Sequence, residues 1–123
     1  QRQQAYDHVL ERYIVTLPDG CDAIDPLSFF AGHSPRELWL EIGFGHGEHL
    51  THQAALHRDV GVLGIEPFVN GLATASVALI AEQIDNVRIY PDDAMHLLPR
   101  CADASFTRVF LFFPDPWPKT RHH

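Results

Sequence analysis

The run Phe112-Phe113-Pro114-Asp115-Pro116-Trp117-Pro118-Lys119-Thr120-Arg121 limits what this chain can fold into more than any other stretch. Residues 109–113 are five apolar residues in a row and predict a strand buried on both faces. Prolines at 114, 116 and 118 fix their own φ, remove backbone donors and restrict their neighbours, so neither strand nor helix continues. The chain must turn there, carrying Asp115 and Trp117, with Lys119 and Arg121 close behind. Ligands of open α/β sheets bind beyond the carboxyl ends of strands. The segment therefore reads as a place of chemistry rather than a plain Pro-rich surface turn.

With 123 residues, 46% of them hydrophobic, the chain suits one globular domain. No apolar run is long enough to span a bilayer, and no secretory signal opens the sequence. Cys21 and Cys101 stand apart and outside any CxxC pattern, which predicts free thiols in a reducing compartment, the cytoplasm by default. Nine Lys and Arg against 16 Asp and Glu leave a formal net charge of −7, which argues against non-specific nucleic-acid binding. His46, His49 and His52 recur every third position but lack a completing Cys or carboxylate cluster. They are expected to be exposed helix residues, and no metal site is expected.

Apolar spacing over residues 3–14 predicts a leading amphipathic helix, broken by Pro18-Asp19-Gly20. Strands are predicted at about 38–43, 60–65, 87–90 and 107–113, and helices at about 48–57, 70–84 and 94–98. Strands alternating with helices imply a parallel, doubly wound, Rossmann-like sheet. Residues 1–37 are read as an N-terminal helix and loop, and 38–123 as the first part of the main domain. A strand as apolar as 109–113 would be a hazardous sheet edge. Further strands are therefore expected after it, and the chain, starting at Gln1 without Met, reads as a fragment.

Each predicted strand ends near an acid. Gly43, Gly45 and Gly47 alternate directly before a helix, letting the backbone turn and approach a ligand, and Glu41 precedes them. Glu66 closes the second strand, where a carboxylate can accept ribose hydroxyls. A nicotinamide dehydrogenase fits those two features, but its loop is G-x-G-x-x-G and this one is G-x-G-x-G. Asp92-Asp93-Ala94 follows the third strand, either as a helix N-cap or as a contact to an adenine amine. Asp115 is the fourth. Four acids at one sheet edge describe a pocket for an adenosine moiety bearing positive charge, which favours S-adenosylmethionine over NAD.

These residues resemble the tRNA (guanine-N7-)-methyltransferase family. The likeness is carried by Leu40-Glu41-Ile42-Gly43-Phe44-Gly45-x-Gly47, Gly64-Ile65-Glu66, Asp93-Ala94 and, most specifically, residues 112–119 with Arg121-His122. The resemblance implies a class I Rossmann-like enzyme that methylates N7 of a variable-loop guanosine in tRNA. It implies S-adenosylmethionine contacts from Glu41, Glu66, Asp93 and Asp115, with Gly43, Gly45, Gly47 and Ala94 around the same ligand. It further implies that Asp115 is the catalytic acid side chain and that Lys119 touches tRNA, where Arg121 would also meet phosphates. Methylation of another substrate, or a non-catalytic RNA-binding role for the same fold, are the alternatives.

Overall fold

A computed structural model of the protein describes residues 11–112. Four strands, β1 (Glu37–Ile42), β2 (Val60–Ile65), β3 (Val87–Tyr90) and β4 (Arg108–Leu111), form a wholly parallel sheet in the order β3-β2-β1-β4. Helix α1 (Glu48–Leu56) links β1 to β2, and α2 (Val69–Ala81) links β2 to β3. The short α3 (Ala94–Leu97) runs into a 3-10 turn, Leu98–Arg100, on the way back to β4. All six residues of β2, Val-Gly-Val-Leu-Gly-Ile, are buried, as expected for a central strand covered on both faces.

Strand alternation sorts the apolar residues into two cores. Trp39, Val60, Val62, Val87 and Ile89 pack with Leu50 and Ala54 of α1 and Ala75 and Leu79 of α2. Leu40, Leu63, Ile65 and Tyr90 point the other way, onto Leu97 of α3 and onto Val15 and Ile24. The sheet is thus covered on both faces. The chain winds outward from β1 to β3 and then returns to lay β4 on the other side of β1. The order reverses between β1 and β4, so a crevice opens at their carboxyl ends.

Boundaries of the central elements fall within a residue or two of those expected, with one exception. Helix α2 stops at Ala81, not Ile84. Gln83 takes a left-handed φ of 55°, its N–H donates to the Ile80 carbonyl (3.1 Å), and the Ile84 N–H donates to the Leu79 carbonyl (3.0 Å). This is a Schellman closure, which satisfies the last carbonyls and turns Ile84 into the core.

Two other expectations are corrected. The leading helix, most of which lies outside the described residues, does not reach Ile14. Ile14 pairs in parallel with Ile89, the Val15 N–H donates to the Ile89 carbonyl (2.8 Å), and the Ile89 N–H donates to the Tyr13 carbonyl (2.6 Å). The open edge of β3 offers unpaired backbone groups, and this demand overrides helical spacing. The Tyr13 hydroxyl adds a 2.5 Å bond to the Ile84 carbonyl. Strand β4, in turn, is fully buried on neither face, and only Phe110 is partly covered. Phe110 packs into the first core, whereas Val109 and Leu111, on the face of Leu40, are 53% and 52% exposed. Among the described residues β4 is an edge strand, and the cover over the second core stops short of it.

Asn86 joins the layers at the opposite end of the sheet. Its side-chain nitrogen faces the carbonyls of Ala54, His57 and Val60 at 3.1, 3.0 and 2.9 Å. It thereby gathers the end of α1, the following turn and the start of β2.

Candidate active site

The crevice at the carboxyl ends of β1 and β4 is a cleft of about 690 Å³, lined among others by Gly43, Gly45, Glu66, Phe68, Asp93 and Phe112. That is ample for a nucleoside-sized ligand. Its floor is the glycine loop. Gly43, Gly45 and Gly47 all have positive φ, at 75°, 61° and 87°. At Gly43 the need is steric as well, since a Cβ would lie 2.2 Å from the Phe112 carbonyl oxygen. At Gly45 a Cβ would meet nothing within 4 Å, so the backbone there faces open space.

Glu66 ties the loop to the far wall. It is 5% exposed, and its Oε1 accepts from the Gly45 N–H (2.7 Å) while Oε2 accepts from the Phe68 N–H (3.3 Å). A carboxylate has about four acceptor positions. Capacity to receive a ligand hydroxyl therefore remains.

Asp93 is at once a cap and a wall residue. Its Oδ1 accepts from the Met95 N–H at the start of α3 (2.9 Å), its own N–H donates to Asp92 (2.7 Å), and both Asp93 and Ala94 line the cleft. The two readings of this acid are compatible, because the cap engages one oxygen only.

Glu41 differs from the other acids. It is 1% exposed and lies on the β1 face that packs against α1, behind the cleft wall. Its Oε1 is 2.6 Å from Nδ1 of His49, and its buried Oε2 has no partner among the described residues. Burial pushes the Glu41 carboxyl above its ordinary range, opposed by the hydrogen bond and the charge of His49. The structure thus brings Glu66, Asp93 and Ala94 to the cleft with the three glycines at or beside it, and sets Glu41 beneath them. Asp115, Lys119 and Arg121 lie outside the described residues, as does Trp117.

His49 is the functional candidate that sequence reasoning missed. Taken as an exposed helix histidine, it is instead half-buried, with its ring edge-on to Phe110 (4.6 Å between centroids) and Phe112 (5.0 Å). The signal was available in β1. A lone acid in an otherwise apolar strand needs a partner, and the first turn of the next helix is where one can stand. Among the described residues no group of three or more His, Cys, Asp or Glu is placed to hold a metal ion. No helix among them is long and apolar enough to cross a membrane.

Three features fit S-adenosylmethionine: a cleft of sufficient volume, a backbone open to it at Gly45, and the Glu66 carboxylate in its lining, with acceptor capacity left for hydroxyls. Comparison with known proteins agrees with this chemistry. Residues 35–123 match the model of a protein family described as "Putative methyltransferase". A tRNA (guanine-N(7)-)-methyltransferase of Paramagnetospirillum magneticum is 44% identical over 117 residues, 94% of this chain and 49% of the relative. The protein of the same name from a Chelativorans species is 45% identical over 122 residues, covering 99% of this chain and 52% of the relative. The chain therefore spans about half the length of the curated relatives it matches. Among solved structures, an antibiotic-related methyltransferase superposes with a TM-score of 0.56 at 18% identity, covering 87% of this chain and 52% of that one. The sheet accordingly has the Rossmann-like class I methyltransferase fold expected from the sequence, and the chain belongs to the methyltransferase family that its last three-quarters match.

Proposed function

We propose that this chain carries the cofactor-binding part of an enzyme that methylates N7 of a guanosine in tRNA, the variable-loop guanosine implied by the resemblance. The observation that carries the reading is the convergence of Glu66, Asp93 and the glycine loop on one cleft at the switch point between β1 and β4. The names of the relatives point to tRNA as the substrate, and the free thiols of Cys21 and Cys101 fit a reducing compartment such as the cytoplasm.

When bound, S-adenosylmethionine supplies a methyl group on a positively charged sulfur. Glu66 and Asp93 would hold its adenosine portion through hydroxyl and amine hydrogen bonds, and Gly45 lets the backbone approach it closely. Guanine N7 carries a lone pair and no proton, so the protein has no proton to remove there. Its task is alignment, which alone can contribute about 7–11 kcal/mol to lowering a barrier. Transfer would exchange the sulfur–methyl bond for a methyl–N7 bond, leaving a neutral thioether and a positively charged purine. Asp115, which follows β4 in the sequence, would orient the base and stabilise that charge. Lys119 and Arg121 would meet tRNA phosphates.

The test is to incubate the full-length protein with unmodified tRNA and S-adenosylmethionine, then cleave chemically at N7-methylguanosine. A single cleavage in the variable loop is the expected outcome. Label transfer to another base, or none to tRNA, refutes the reading.

A further inference from the structure

Beneath the glycine loop, the Glu41–His49 pair is a buried ionisable contact that the reaction itself does not require. Glu41 is 1% exposed, while the His49 side chain is 35% exposed. The imidazole thus has one nitrogen on a buried carboxylate and part of its ring within reach of water. The pair is also tied to the cleft wall. Phe112 holds the His49 ring edge-on, lines the cleft, and donates its N–H to the Ile42 carbonyl next to Glu41 (3.0 Å).

We propose that His49 is a positioning residue that keeps Glu41 oriented and ionised, so that a cationic cofactor is bound with nearly constant affinity across neutral pH. The inference rests on the reading of the cleft as an S-adenosylmethionine site. Burial of Glu41 favours its neutral form, which would offer a cationic ligand much less. The Nδ1 contact at 2.6 Å opposes this, because a hydrogen bond given to the ionised carboxylate favours the charged form, and the charge of His49 acts in the same direction.

Among the described residues no other group near Glu41 can substitute. Across the sheet it pairs with Gly64 and Phe110. Neither β2 nor α2 contains a titratable residue. On β4, Arg108 lies over the Trp39 ring instead. On α1, Glu48 and His52 are exposed, and His49 is the residue that reaches the acid.

The experiment uses the full-length protein and two variants. H49F retains a ring against Phe110 and Phe112 but no donor, and H49Q retains a donor but neither ring nor charge. Calorimetric titration with S-adenosylmethionine should find wild-type affinity changing less than about threefold between about pH 8 and about pH 6. Over that interval H49F should lose affinity several-fold more than wild type, and H49Q an intermediate amount. Carbon-13 NMR of the Glu41 carboxyl in the ligand-free protein should find its titration moved to higher pH in H49F. Equal titration in wild type and both variants overturns the proposal, whether or not cofactor binds. A Glu41 titration that moves as expected in a protein that binds no S-adenosylmethionine sinks the reading of the cleft, and with it the role in binding.

Discussion

Gly71, in the first turn of α2, stands so close to Gly45 that a Cβ added to it would lie 1.9 Å from the Gly45 carbonyl oxygen. Helix α2 thus leans directly on the glycine loop, with the Glu66 carboxylate clasping the same Gly45 from its N–H side. Helix propensity alone favours Gly71→Ala by about 1 kcal/mol. Overpacking against backbone costs more, about 1–3 kcal/mol. The variant should be less stable in urea and should bind S-adenosylmethionine at least tenfold more weakly by calorimetry. An alanine variant of higher stability and unchanged affinity would mean that the loop and α2 are not in contact.

Glu41 should cost the fold stability. Its carboxyl is raised above the ordinary value of 4.5 by burial, so the folded state holds the proton more tightly than the unfolded chain. Stability from this group is complete below that ordinary value and declines as pH rises through the higher folded value. Glu41→Gln removes the decline. Thermal melts should place the variant above wild type by about 1 kcal/mol at neutral pH, with the difference shrinking as pH falls below 4.5. Its affinity for S-adenosylmethionine should fall.

Asn86→Ala leaves the carbonyls of Ala54, His57 and Val60 without the amide that now faces them. Loss of a buried, multiply bonded amide should cost about 2–3 kcal/mol in urea denaturation. Because Asn86 lies at the opposite end of the sheet from the cleft, cofactor affinity of the folded variant should be unchanged.

Val15→Pro removes the N–H that donates to the Ile89 carbonyl. The parallel bridge at Ile14 should open, costing about 1–3 kcal/mol. The sharper readout is hydrogen exchange, where the Ile89 amide, bonded to Tyr13 in the wild type, should lose its protection. Retained protection would show that the pairing does not guard this edge.

Asp115→Ala in the full-length protein should abolish tRNA methylation while leaving the melting temperature within a few degrees of wild type. Near-normal turnover would remove Asp115 from the mechanism.

The elements from β1 to β3 were legible because their apolar periods are strong and their ends carry glycine, proline or a cap. Glu66 and Asp93 were legible for a related reason, since position at a strand end is a local property. What escaped was non-local. Residues 13–15 have helical spacing, and only the spatial nearness of β3 makes them a strand. The half-exposed face of β4 depends on how far the cover over the second core extends. The contact of His49 with Glu41 depends on how α1 is set against β1, which no window of sequence contains.

The pairing of the N-terminal segment with β3 also orders events in time. Tyr13 and its partner Ile84 are 71 positions apart, so closing this contact is among the costlier loop closures in the domain. A ribosome delivers residues 13–15 well before β3 exists. At roughly 5–20 residues per second, that segment spends several seconds with its apolar side chains unmatched. The first described part of the chain thus waits for β3 before it can dock, and during that interval its apolar side chains stay open to neighbouring nascent chains.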